Sequence, residues 1–286
     1  VFSSHLPDII LREDIKMTEA KSILKSITPN PIWQTARSSW HTLQNAALWP
    51  EAMFHPWRRA SIRRLGELKD IHRGQRCFII GNGPSLKQTD LKKLKDECTF
   101  GMNRIYLGFP EMGFQTTYFL TINSLVIEQC AEDIRRLNMP RFICWRSRRV
   151  IGTAPDLIFL HTTYNGPKFA VDARGRLWEG ATVTYVALQL AYHMGFSQVI
   201  LIGVDHNYSA QGKPNTTVVS QGEDKDHFHS DYFGKGFRWQ LPDLETSERS
   251  YRMARQAYER DGRQVLDATI GGKLTVFPKV DYNSLF

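Results

Sequence analysis

Arg76-Cys77-Phe78-Ile79-Ile80-Gly81-Asn82-Gly83-Pro84-Ser85-Leu86 is an apolar run that passes directly into a glycine-rich polar turn. Consecutive apolar residues with a β-branched pair fit a strand buried on both faces, as parallel strands are. Gly81-Asn82-Gly83-Pro84 stops it abruptly, so the turn leaves the carboxyl edge of a sheet. Glycines there permit φ > 0 and let a ligand approach the backbone, while free N–H groups and the Ser85 hydroxyl offer donors to phosphate oxygens. The stretch predicts an anion site for the phosphate of a nucleotide. It lacks the third glycine of the dinucleotide fingerprint and the Gly-Lys-Ser/Thr of a Walker loop, so neither of those mechanisms applies.

The pattern repeats down the chain. Cys98–Met102 reads as a second strand ending at Asn103-Arg104, and Tyr118–Ile122 as a third ending at Asn123-Ser124, so two successive strands deliver an asparagine at one edge. Arg141–Trp145 and Asp156–Leu160 read as further strands, and a helix is expected from Ser124 to about Leu137. Gly180-Ala181-Thr182 opens a buried helix with Val183, Val186, Ala187, Leu190, Ala191 and Met194 on the i, i+3, i+4 spacing and Gly195 as its stop. Its amino terminus offers N–H groups and the Thr182 hydroxyl to a second anion, or uses Thr182 as a plain cap. Gln198–Ile202 is another buried strand, leading through Gly203 to Asp205 and His206, a carboxylate and an imidazole side by side at a strand exit. A helix over Glu245–Asp261 and a strand at Gln264–Leu266 follow. Alternation of this kind predicts an α/β, Rossmann-like, doubly wound and mostly parallel sheet with ligands at the carboxyl ends of its strands.

Residues 211–243 form a long loop dense in ionisable and aromatic groups, among them Asp224, Asp226, His227, His229, Asp231, Tyr232, Lys235, Arg238 and Trp239. A loop of that length and composition reads as an active-site lid. In an extended backbone His227 and His229 would project to one side and Tyr232 to the other.

Residues 1–72 differ from residues 73–286. They hold Trp33, Trp40, Trp49 and Trp57 with Arg58, Arg59, Arg63 and Arg64, and read as a helical extension broken near Pro50 and Pro56. Either the aromatics and arginines meet an anionic membrane surface, or they pack on the core domain or on another subunit. The net charge of +8 over 286 residues suits acidic ligands, but no arginine-rich arm, zinc-finger spacing or RNP-like motif points to nucleic acid. Cys77, Cys98, Cys130 and Cys144 are irregularly spaced, which indicates neither a disulfide framework nor a metal site and makes a reducing cytoplasm the default compartment. No run approaches the length of a membrane span, and no signal peptide is evident.

Gly81-Asn82-Gly83-Pro84-Ser85-Leu86 after a buried strand, with the two strand-end asparagines, Gly180-Ala181-Thr182 and Ile202-Gly203-Val204-Asp205, resembles bacterial sialyltransferases that use CMP-sialic acid. It is also similar to the related MptE-like family, which includes flagellin nonulosonic-acid transferases and archaeal 6-hydroxymethylpterin diphosphokinases. The resemblance runs from Arg76 to Phe286, and the closing Asp267–Leu274 is more like the MptE-like family. It implies a nucleotide pocket lined by Gly81, Asn82, Gly83, Pro84, Ser85, Asn103, Asn123, Ser124, Gly180, Ala181, Thr182 and Gly203, and metal-independent transfer with a tyrosine assisting the leaving phosphate and a histidine as base. The sialyltransferase-like histidine follows Tyr-x-Gly, whereas here Tyr232-Phe233-Gly234 is followed by Lys235.

The expected activity is a glycosyltransferase moving a sugar from a nucleotide donor, CMP-activated, to a glycan or lipid-linked acceptor. His227 or His229, or failing those His206, serves as base, with Tyr232 and Lys235 on the leaving group and Asp205 beside them. No cofactor is required in that case. The alternative is an ATP-dependent pyrophosphokinase with Mg²⁺ on Asp205, Asp224 or Asp226. A third is a nucleotide-binding protein that has lost its base.

Overall fold

A computed structural model describes residues 50–286 except 165, 211 and 223. The chain divides into two compact units, Val1–Glu51 and Ala52–Phe286, and the sheet with its helices and lid belongs to the second. Trp33, Trp40 and Trp49 of the expected extension lie outside the described residues.

Eight strands form one sheet: β1 (Arg76–Ile80), β2 (Thr99–Met102), β3 (Tyr118–Thr121), β4 (Arg141–Cys144), β5 (Leu157–Thr163), β6 (Arg176–Trp178), β7 (Gln198–Ile202) and β10 (Gln264–Asp267). Their order is β10-β7-β1-β2-β3-β4-β5-β6, and every neighbouring pair is parallel. Cys77 to Ile80 are fully buried, as expected for a strand covered on both faces. Through β6 the chain moves steadily to one side of β1. It then returns through α4 (Val183–His193) and lays β7 on the other side, in register Phe78 to Ile200. β1 and β7 therefore flank the point where strand order reverses, and loops leaving their carboxyl ends part to open a crevice.

The two long helices after residue 180 stand where the sequence places them. Thr182 caps α4 through its side chain, and α5 (Leu244–Arg260), capped by Asp243, buries Ser247, Ser250, Tyr251, Ala254, Ala257 and Tyr258 along one stripe. The single helix expected after Ser124 is instead α2 (Ser124–Gln129) and α3 (Ala131–Arg136), separated at Cys130, whose φ of −122° leaves the helical region. The lid also contains a two-stranded antiparallel hairpin, β8 (Thr217–Val219) with β9 (Arg238–Gln240), where only loop is expected.

The second unit begins at Ala52 and so includes α1 (Pro56–Glu67), which packs on β5. Pro56 stands at its first turn, so the helix does begin at a proline. Arg58 is fully buried and donates to the carbonyls of Arg174 at 2.7 Å and Gly175 at 3.1 Å, while Ser61 Oγ accepts from Phe159 N at 2.9 Å. Arg64 donates to the carbonyls of Pro155 and Leu157, and Trp57 stacks on Phe159. Two of the four arginines, Arg58 and Arg64, thus hold the helix against the segments that flank β5 and β6. Among the described residues no helix is long and apolar enough to cross a membrane.

Candidate active site at the strand-order reversal

The glycine turn is built for strand packing. Gly81 N donates to Ile202 O at 2.7 Å and Gly83 N to Gly203 O at 2.9 Å. A Cβ on Gly81 would lie 2.1 Å from Gly203 O, and one on Gly83 1.8 Å from Asp205 Oδ2. Only glycine lets the exits of β1 and β7 run this close. Ser85 N and Oγ donate to the two oxygens of Asp205 at 3.1 and 2.7 Å, and Ser85 is buried. The donors of Gly81, Gly83 and Ser85 are thus engaged within the protein and Pro84 has none, so of the expected phosphate donors in this turn the Asn82 N–H is the one without an acceptor among the described residues. Burial pushes the Asp205 carboxyl above its ordinary range, against the opposing pull of the Ser85 bonds. Asn82 alone keeps polar capacity, since its Oδ1 is buried without a hydrogen-bond partner among the described residues.

The crevice above this turn has a cavity volume of about 120 Å³ and is lined by Gly81, Asn82, Gly83, Asn103, Ala181, Thr182, Gly203, Asp205, His206, His227 and Tyr232, among others. A second compartment of about 520 Å³ shares Asn103, Ala181, Thr182, His227 and Tyr232 with it and adds Asn123 and Ser124. Pro84, Ser85, Gly180, His229 and Lys235 line neither. Gly180 instead makes room for Tyr185 and Ser250, which a Cβ there would strike. Asn103 Oδ1 accepts from Thr121 Oγ1 at 2.9 Å, Asn123 Oδ1 caps α2 through Leu125 N at 3.0 Å, and Ser124 Oγ accepts from Arg146 Nε at 3.0 Å. Five described non-glycine residues have φ > 0, and Asn103, Ala181, His206 and Asn215 of these face the two compartments. Each such residue costs of order 1–3 kcal/mol, and that strain gathers at functional sites.

The loop over residues 224–233 brings a carboxylate, an imidazole and a phenol together. Asp224 Oδ2 accepts from Phe233 N at 3.1 Å and lies 2.8 Å from His227 Nδ1, while Asp224 Oδ1 accepts from Asp226 N at 2.9 Å. Residues 224–233 are thereby wound around one carboxylate. His227 stacks on Tyr232 at 4.0 Å and 8°, so the expected division of these two to opposite sides does not occur. His229 Nδ1 accepts from Asp231 N at 3.2 Å and Lys235 is exposed, which leaves both away from the cleft. Tyr232 is held through its phenol by the Asn103 side chain, and burial pushes that phenol well above its ordinary range. An imidazole that donates Nδ1–H to a carboxylate presents Nε2 as an acceptor, the form a general base requires. His206 Nε2 lies 3.1 Å from Glu248 Oε1, so His206 and His227 are both carboxylate-paired histidines of the first compartment, and His227 alone of the two also lines the second.

Electrostatically the first compartment depends on backbone. None of the described residues that line it is lysine or arginine. The N–H of Val183, first residue of α4, has no intrahelical acceptor, and its cap Thr182 is uncharged. α5 also opens on the cleft, but Asp243 and Glu245 offset its positive end. Sequence reasoning misses Tyr208, Tyr251 and Asp243 here, and Arg146, Glu179 and Tyr164 in the second compartment. Arg146 follows the end of β4 as Asn103 follows β2, so its strand-exit position is a usable signal. Asp243 two residues before the expected helix is another.

The solved structure of the MAf glycosyltransferase from Magnetospirillum magneticum AMB-1 is similar at 15% identity, with a TM-score of 0.45 over 79% of this chain and 38% of that one. This chain therefore spans well under half the length of that protein. No curated protein matches the sequence. Residues 59–211, more than half of the 286, match the family described as 6-hydroxymethylpterin diphosphokinase MptE-like. They carry β1 to β7, the glycine turn, Asp205 and His206, and by that match the chain belongs to the MptE-like family.

Proposed function

We propose that this chain is a glycosyltransferase that moves a sugar from a CMP-activated donor to a hydroxyl of a glycan or lipid-linked acceptor, with His227 as base. The observation that carries the reading is the Asp224–His227 pair opening on the crevice where strand order reverses. The donor phosphate lies at the amino terminus of α4, against Val183 N–H and the Thr182 hydroxyl, and the nucleoside lies against the amides of Asn82 and Asn103. The acceptor O–H gives its proton to His227 Nε2 as its oxygen bonds to the anomeric carbon. The bond from that carbon to the phosphate oxygen breaks, and CMP leaves with the electron pair. Asp224 stabilises the imidazolium that forms.

A single phosphate suits this compartment. A helix terminus is worth roughly half a unit charge, enough for a phosphodiester monoanion, whereas a triphosphate requires cations that the described lining lacks. The family's description favours a second reading, pyrophosphoryl transfer from ATP with Mg²⁺. Mg²⁺ would be held by one or two carboxylates and the phosphates themselves. Asp205 and Asp226 line the compartment, but each accepts two internal hydrogen bonds, Asp205 from Ser85 and Asp226 from Ser209. Asp224 is bound to His227 and Phe233. These carboxylates are a poor fit for the ion unless the turn opens.

Thermal melting with CMP, UDP, GDP and ATP, each with Mg²⁺ and with EDTA, tests the two readings. CMP in EDTA is expected to stabilise by about 2.7 kcal/mol at 100 times its Kd. Stabilisation by ATP with Mg²⁺ alone would establish the second reading in its place.

A further inference from the structure

The second compartment is not needed to hold a nucleotide. His227 and Tyr232 stand where it meets the first, and beyond them its wall is formed by β9 and by the residues that follow β5. Trp239 of β9 lines it, with one side of the indole stacked on Phe233 at 5.3 Å and 24°. Tyr164 lines it with 46% of its surface exposed, and its hydroxyl accepts from Asn215 Nδ2 at 2.8 Å. Asn215 Nδ2 and the Tyr164 hydroxyl both reach Asp243 Oδ2 at 3.4 Å, so an amide, a phenol and a carboxylate form one rim. Asn215 is held at φ +63°, a strained conformation for a side chain that only joins this rim.

Aromatic faces beside a rim of mixed donors and acceptors match one class of ligand. A pyranose ring has an apolar C–H face that packs on an aromatic ring, and an equatorial edge of hydroxyls that both donate and accept. An acyl chain has no group to meet the hydrogen-bonding capacity that the Asn215, Tyr164 and Asp243 rim keeps beyond its internal bonds, whereas sugar hydroxyls do. We propose that the second compartment is a saccharide subsite, with Trp239 and Tyr164 as the ring platform and Asn215 and Asp243 as its hydroxyl readers. It rests on the glycosyl-transfer reading only in assigning this saccharide as the acceptor, whose hydroxyl then reaches His227.

The test is saturation-transfer NMR on the full chain with methyl glycosides of galactose, glucose, mannose and N-acetylglucosamine, first alone and then with saturating CMP. At least one glycoside is expected to bind, with the strongest transfer at its ring C–H protons. Trp239→Ala and Tyr164→Ala should each weaken that binding ten-fold or more, with Trp239→Phe intermediate and CMP affinity within two-fold of wild type. Tyr164→Ala guards against a misfolded hairpin, since Tyr164 lies outside β8 and β9. Absence of binding by all four glycosides, or equal binding by both alanine variants, overturns the saccharide subsite. Glycoside binding with no CMP binding leaves the subsite standing and removes the CMP donor instead. Loss of glycoside binding on adding CMP places the saccharide in the nucleotide compartment and also overturns the proposal.

Discussion

Replacing His227 by glutamine is expected to lower the transfer rate constant by roughly 10²–10⁴-fold, the range a positioned general base contributes. His227 faces both compartments and is oriented through Nδ1 by Asp224. Glutamine keeps a polar side chain of similar reach but cannot take the proton. CMP affinity should remain within about two-fold of wild type, because the nucleotide contacts proposed above are with Asn82, Asn103 and α4. Asp224→Asn should fall between, since an amide can reverse the hydrogen bond and leave the wrong nitrogen of His227 protonated. His229→Gln and Lys235→Met are expected to leave the rate near wild type, because neither residue lines the cleft. Single-turnover kinetics beside CMP titrations measures all four. A slow Lys235→Met with a normal His227→Gln would transfer the role of base to the lysine.

Gly81→Ala is expected to cause the largest loss of stability of any conservative change in the turn. The new methyl would lie 2.1 Å from Gly203 O and 2.6 Å from Gly203 C, both backbone atoms of the adjoining strand exit. Relief requires β1 and β7 to part at the centre of the sheet, which breaks the bonds from Gly81 N and Gly83 N to β7 and its exit. Over-packing of this kind costs about 1–3 kcal/mol and more where backbone cannot yield. In a unit of this size each kcal/mol lowers Tm by about 2–4 °C. Gly175→Ala is the control, since its Cβ would meet only Asp172 O at 3.8 Å. Equal melting of the two variants would show that the strand exits are not locked together.

The fold was legible wherever apolar runs were long enough to mark a buried strand. Phe78 to Ile80 and Val199 to Ile202 identified the two central strands, and the alternation between them implied a parallel sheet. Strands of three residues carry no such signal. Arg176-Leu177-Trp178 lies in a polar, glycine-rich stretch, and β8 and β9 are half exposed, so their pairing comes from the tertiary context. The site was legible as positions and not as partnerships. Asn82, Asn103, Asn123 and Thr182 stand at strand or helix ends by sequence alone, and the structure divides them between two adjoining compartments, with Asn103 and Thr182 lining both. That Ser85 turns inward was not legible, because its partner Asp205 is 120 residues away. The choice among His227, His229 and Lys235 depended on the Asp224 turn, which an extended lid does not contain.

The central claim is that a nucleotide phosphate sits at the amino terminus of α4, and Val183→Pro addresses it with little else disturbed. Proline is favoured at the first helical position, and Thr182, at φ −154° and ψ 138°, already has the extended backbone that a following proline requires. The substitution removes one N–H that no helical carbonyl accepts. Calorimetric titration with CMP in EDTA should show affinity at least about ten-fold weaker than wild type, the worth of a hydrogen bond to a charged group, with an unchanged melting temperature. Equal affinity for CMP in the folded variant would place the phosphate elsewhere and contradict the account.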